Sequence, residues 1–330
     1  MHFLKNKVQT KRCEYLHKQA NLLKLYREII FGEVCQKLYG ENNGDYYFYT
    51  MISAIQAIFP EEISRKQNKT KRERKSHMRE NTRIIAVAGK GGVGKTTISS
   101  AFVRILTEKY PEARILAIDA DPAVGLSTAL GITVKETLDD IRRSIIERAE
   151  AGEGQEAIEM LSEARYRIFD TLVEDDRFAF LAIGRPEGAG CYCTVNAYLK
   201  EVIEMVSRDF DYVVIDGEAG IEQINRRVME KVTHMVLISD ASKKGTRVIE
   251  TIRSVADELV MYEKCGAIIN RVEDMSLAPF ISVEGTEILA FIPGDPQHAA
   301  NDIKGKSIFE LDENAPVLKG AREALEKMGI

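Results

Sequence analysis

The feature that most constrains this chain is a glycine-rich octapeptide set between two kinds of secondary structure. Five apolar residues, Ile84-Ile85-Ala86-Val87-Ala88, have a strand's length and β-branching. They run into Gly89-Lys90-Gly91-Gly92-Val93-Gly94-Lys95-Thr96, after which Thr97-Ile98-Ser99-Ser100-Ala101-Phe102-Val103 reads as the start of a helix. Strand, glycine loop, then Lys-Thr opening a helix is the context in which this pattern binds phosphate. The glycines let the backbone curl so that successive N–H groups face phosphate oxygens. The helix N-terminus adds its positive end. Residues Gly89 to Thr97 are therefore expected to bind a nucleoside triphosphate, with Lys95 on the β/γ-phosphates and the Thr96 hydroxyl on Mg²⁺.

From Met78 onward the pattern alternates strand and helix. Helix 97–109 leads to strand Arg114–Asp119, and polar periodic stretches near 134–150 and 154–173 look helical. Strand Phe178–Ile183 enters a Gly-rich loop ending at Cys193, followed by helix Asn196–Arg208 and strand Tyr212–Asp216. Then come helix Ile221–Lys231, strand Met235–Asp240, helix Gly245–Met261, strands Ala267–Asn270 and Ile288–Ile292, and a last helix within 315–328. This alternation predicts an α/β fold with a doubly wound, mostly parallel sheet and helices on both faces, a P-loop NTPase with a short N-terminal extension. Ligands of such a sheet sit at the carboxyl ends of its strands.

Charge divides the chain at the same boundary. Residues 1–77 hold 15 Lys+Arg against 8 Asp+Glu, a net of +7, and the remainder holds 31 against 43, a net of −12. We read residues 1–80 as an extension with one helical-looking stretch (Tyr15 to Leu38) and a basic linker, and 81–330 as the ATPase domain. An alternative reading starts the protein near Met78. An acidic main body argues against a nucleic-acid partner. The longest apolar patch, Tyr46 to Phe59, is broken by Thr50, Ser53 and Gln56 and is too short to span a bilayer. Five cysteines (13, 35, 191, 193, 265) without a disulfide spacing point to the cytoplasm.

Each strand end carries chemistry. Asp119-Ala120-Asp121-Pro122 closes the second strand, and two carboxylates two residues apart in extended chain face one way, suited to Mg²⁺ or its waters. Tyr212-Val213-Val214-Ile215-Asp216 is an apolar run ending in one carboxylate beside the metal. Gly220 of the following Asp216-Gly217-Glu218-Ala219-Gly220 is a hinge for a nucleotide-sensing loop. Asn270 ends a late strand, where an amide can read the base. Asn270-Arg271-Val272-Glu273 falls short of the Asn-Lys-x-Asp pattern that selects guanine, although Glu273 leaves guanine open.

Gly188-Ala189-Gly190-Cys191-Tyr192-Cys193 adds a second function. Alternate residues of extended chain share a face, so both thiols can address one metal. One chain supplies two thiolates, and a two-fold homodimer supplies the four that a soft divalent ion accepts. Cys265 opens a strand and reads as core.

The form Gly-Lys-Gly-Gly-Val-Gly-Lys-Thr resembles the deviant Walker A loop of the nitrogenase-iron-protein and MinD-like ATPases. That resemblance implies that Lys90 crosses a dimer interface to the partner's nucleotide, that Asp121 orients the attacking water, and that Asp119 supports the magnesium shell. It further implies that Asn270 contacts adenine with Ile292-Pro293-Gly294-Asp295 against the base. With the Cys-x-Cys loop and Asp216-Gly217-Glu218-Ala219-Gly220-Ile221-Glu222, residues 82–330 are similar to the CooC-type ATPases that serve nickel insertion into carbon monoxide dehydrogenase and a related enzyme. The expectation is an ATP-hydrolysing homodimer holding Ni²⁺ or Zn²⁺ at Cys191 and Cys193. The competing readings are an iron–sulfur carrier, a MinD-like positioning ATPase, and a nickel GTPase of urease or hydrogenase maturation.

Overall fold

In the computed structural model, residues 82–121, 125–152, 160, 167–184, 204, 206–217 and 232–330 are described. Residues 1–80, the Cys191–Cys193 loop, Glu218, Gly220, helix Ile221–Lys231 and most of the expected helices 154–173 and Asn196–Arg208 lie outside them.

The first strand, β1 (Arg83–Gly89), ends on the loop glycine, and α1 (Lys95–Lys109) starts at the loop lysine. There follow β2 (Ile115–Asp119), α2 (Gly125–Leu130), α3 (Leu138–Glu150), β3 (Val173–Glu174), β4 (Ala179–Ala182), β5 (Tyr212–Asp216) and β6 (His234–Ser239). The chain closes with α4 (Lys243–Leu259), β7 (Lys264–Val272), a 3-10 turn Met275–Phe280, β8 (Glu287–Pro293), α5 (Pro296–Ile303), a 3-10 turn Ile308–Glu310 and α6 (Pro316–Lys327).

The sheet runs β3-β4-β2-β5-β1-β6-β7-β8, and every pairing is parallel except the antiparallel edge pair β3–β4. The mostly parallel, doubly wound expectation holds. The expected helix to residue 173 gives way at its end to strand β3, because Val173 and Glu174 pair with Phe180 and Ala179. The turn α2 was not legible, being shorter than the two helical periods that a pattern needs. Helix α4 begins two residues before Gly245, because the Ser242 hydroxyl accepts from the Gly245 N–H at 3.0 Å and caps it.

Alternation in β1 sends Ala86 and Ala88 to one face of the sheet and Ile85 and Val87 to the other. On the first face they share a core with Ile141 and Ile145 of α3 and Ile249 and Ala256 of α4. On the second they share a core with Ile98, Phe102 and Leu106 of α1 and Leu318, Ala321 and Leu325 of α6. Each fully buried isoleucine, leucine or phenylalanine among them contributes about 1.5–3 kcal/mol relative to exposure. Helix α1 is also tied by Arg104, buried and donating from Nη1 to the carbonyls of Ile308 (2.8 Å) and Leu311 (2.9 Å). The phosphate loop therefore joins the central strand β1 to a helix that is anchored along its length. Rigid supports at both ends hold the loop's shape before any ligand arrives.

Cys265, second in β7, packs against the first-face core, and burial pushes its thiol up to about 11. It is partly buried at the edge of the core that its place in the sequence suggested. His234 opens β6, with Nε2 3.2 Å from the Met328 carbonyl.

Candidate functional site

At the carboxyl ends of β1, β2 and β5 the fold gathers the loop and two of the expected carboxylates. Gly89 closes on the neighbouring strand so tightly that a Cβ there would lie 2.3 Å from the Ile238 carbonyl oxygen. Gly94 takes φ +93°, a left-handed conformation, and immediately precedes the helix. Lys95 is 7% exposed, and its Nζ donates to the Lys90 carbonyl at 3.3 Å, so the cation is curled under its own loop. Val93 is buried, while Gly91 and Gly92 are exposed with open space where a Cβ would sit. Thr96 and Thr97 occupy the first turn of α1.

Asp119 and Asp216 are direct partners in the β2–β5 register. Asp119 is fully buried. One of its oxygens accepts from the Asp121 N–H at 3.1 Å and the other from the Leu126 N–H at 2.8 Å, tying Asp121 and the first turn of α2 to the end of β2. Asp216 is 1% exposed and accepts from the Ser99 hydroxyl at 2.9 Å. Its Oδ2 is buried with no hydrogen-bond partner. An orphaned oxygen on a carboxylate that also lies within reach of the Thr96 hydroxyl fits a hard cation with oxygen ligands, so Asp216 and Thr96 would hold Mg²⁺, with Asp119 behind them. When bound, that ion would neutralise the phosphates' charge.

Burial, then the facing charge of Asp216, raises Asp119 to about 7. Burial raises Asp216 to about 6, opposed by the Thr96 and Ser99 hydroxyls and by Lys95. A folded-state value above the ordinary 3.8 means that the fold favours the protonated acid. That contribution to stability is present below pH about 4 and is lost as pH rises through 6 to 7. Asp216→Asn is therefore expected to raise the melting temperature of the nucleotide-free protein at pH 8 by about 2–4 °C, while weakening Mg²⁺-nucleotide binding. Calorimetry with and without Mg²⁺-nucleotide checks both signs. A lower melting temperature at pH 8 would remove the buried-charge account.

Lys90 stands apart from Lys95. It is half-exposed, with Nζ 3.9 Å from the Asp240 carboxylate at the end of β6. Burial would raise Asp240, but the Ser242 hydrogen bonds and the Lys90 charge hold it below the usual range.

Asn270 and Pro293 lie at the ends of the neighbouring strands β7 and β8. The Asn270 side chain is buried and donates from Nδ2 to the Val93 carbonyl at 2.9 Å, so its amide nitrogen is committed to the phosphate loop. Asp295 caps α5, accepting from the N–H groups of Gln297 and His298. Two residues not singled out from the sequence join the site. Ser99, one turn after Thr96 on the same helix face, carried a readable signal in that i, i+3 spacing. Arg271, whose Nη1 donates to the Gly92 carbonyl at 2.9 Å, carried none.

A glycine loop joining a central parallel strand to a helix, beside a buried carboxylate with an unmet oxygen, defines a P-loop ATPase. A family model described as an AAA domain matches residues 82–263, and the chain belongs to that family. It is 37% identical to an uncharacterized ATP-binding protein of Methanocaldococcus jannaschii, over 74% of this chain and 98% of the relative. It is 27% identical to the carbon monoxide dehydrogenase accessory protein CooC of Rhodospirillum rubrum, over 69% of this chain and 89% of CooC. The septum site-determining protein MinD of Pyrococcus horikoshii, solved with Mg-ADP, shares the fold with a TM-score of 0.54 at 21% identity, over 74% of this chain and 95% of MinD. Among the described residues no helix is long and apolar enough to cross a membrane.

Proposed function

We propose that this protein is an ATP-hydrolysing, homodimeric metallochaperone. It takes up Ni²⁺ or Zn²⁺ at Cys191 and Cys193 of two subunits and assists nickel insertion into carbon monoxide dehydrogenase or a related enzyme. The observation that carries the reading is the Cys191-x-Cys193 pair in a chain similar to CooC along most of CooC's length. Each subunit offers two thiolates, half of a four-ligand shell, so a two-fold axis completes the site. ATP binding would draw the subunits together, and hydrolysis would loosen the shared site to release metal to the client.

Metal analysis of protein purified without air tests the proposal. One Ni²⁺ or Zn²⁺ per dimer is expected, square-planar for nickel and tetrahedral for zinc. Cys191→Ser or Cys193→Ser should abolish tight metal binding yet leave ATP binding intact. One metal per monomer would sink the shared geometry. A broad iron–sulfur absorption would favour a cluster carrier instead, and no metal at all a positioning ATPase.

A further inference from the structure

Strand β7 does not end regularly. Ile269 pairs with Phe291 and Val272 with Pro293, so three steps along β7 match two along β8, and the extra residue makes a bulge at Asn270-Arg271. Arg271 has φ +58°, the one non-glycine residue with positive φ among those described. A long side chain held in the left-handed region costs free energy, and such conformations collect where surroundings demand them. Here the demand is visible. The bulge turns two consecutive side chains onto two consecutive carbonyls of the phosphate loop. Arg271 Nη1 donates to Gly92 O, and Asn270 Nδ2 donates to Val93 O, both at 2.9 Å. The fit leaves no slack: a Cβ on Gly94 would lie 2.5 Å from Asn270 Nδ2.

A trans peptide points its carbonyl and the following N–H in opposite directions. Holding Gly92 O and Val93 O therefore turns the N–H groups of Val93 and Gly94 to the other side of the loop, away from β7. We propose that the Asn270-Arg271 bulge is a clamp that positions the Val93 and Gly94 N–H groups for the nucleotide's phosphates, with Arg271 as a positioning residue for phosphate binding. The clamp acts on phosphates and not on the base, and it rests only on the protein's being a nucleotide-binding ATPase. Arg271 is exposed, so its removal leaves the core in place. Without it the Gly92 carbonyl is free to rotate while Asn270 still holds that of Val93, and part of the binding free energy goes to ordering the Gly92–Val93 peptide.

The test compares Arg271→Gly, which accepts positive φ, with Arg271→Lys, which restores a cationic donor. Titration calorimetry on the full chain uses ADP and inorganic pyrophosphate as probes, and melting of the nucleotide-free protein is followed in parallel. Arg271→Gly should weaken both probes by the same factor, about tenfold for one charged hydrogen bond, with an unchanged melting temperature. Arg271→Lys should recover most of the loss. If pyrophosphate binds Arg271→Gly as tightly as it binds the wild type, the proposal is overturned, whether or not ADP weakens. A loss that Lys fails to restore, accompanied by a lower melting temperature, overturns it as well by assigning Arg271 to general stability.

Discussion

Asp121→Asn is expected to leave nucleotide affinity intact and to cut ATP hydrolysis by about 100-fold or more, the scale of a lost water-positioning or general-base group. The variant is informative because the fold holds Asp121 through its backbone. The Asp121 N–H is bonded to buried Asp119, whose other oxygen takes the Leu126 N–H, and both of those backbone bonds survive the substitution. Asparagine keeps the side chain's shape and one carbonyl oxygen but cannot take a proton from water. Phosphate release at saturating ATP, set against the affinity for a non-hydrolysable analogue, separates chemistry from binding. Unchanged turnover would take Asp121 out of the mechanism.

Lys90→Ala is expected to fold, to bind ATP through Lys95, and to lose ATP-driven dimerisation altogether. Phosphate binding within one chain needs a single loop lysine, and Lys95 occupies that place, buried beneath the loop. Lys90 instead reaches out from the loop to Asp240, 3.9 Å away and partly exposed. A pair so placed is screened by solvent and easily exchanged for another partner. A triphosphate in a second subunit offers more charge in a drier setting, where a cation–phosphate contact is stronger. Light scattering with and without a non-hydrolysable analogue measures the effect. An ATP-driven dimer that persists in Lys90→Ala would leave Lys90 as a solvated cation paired with Asp240.

The sequence by itself determined the phosphate loop and the class of fold, because both are written in local chemistry. Gly89 to Thr96 must follow a strand and open a helix, and β1 and α1 do so. The run Tyr212–Asp216 is strand β5 at both ends, since a short β-branched segment closed by a carboxylate has few other uses. The tertiary structure decided which side chains meet. Asp119 and Asp216 repel each other in the buried site because β2 lies beside β5, and strand order depends on pairings between distant segments that no local pattern records. Asn270 was legible as an amide near the end of a strand. Its bond to Val93 and that of Arg271 to Gly92 join residues 177 and 179 positions apart, through a bulge that propensity does not encode. A glycine loop's capacity to bind phosphate is local. Which carbonyls are held, and so which N–H groups are presented, is set by whatever strand the fold brings alongside it.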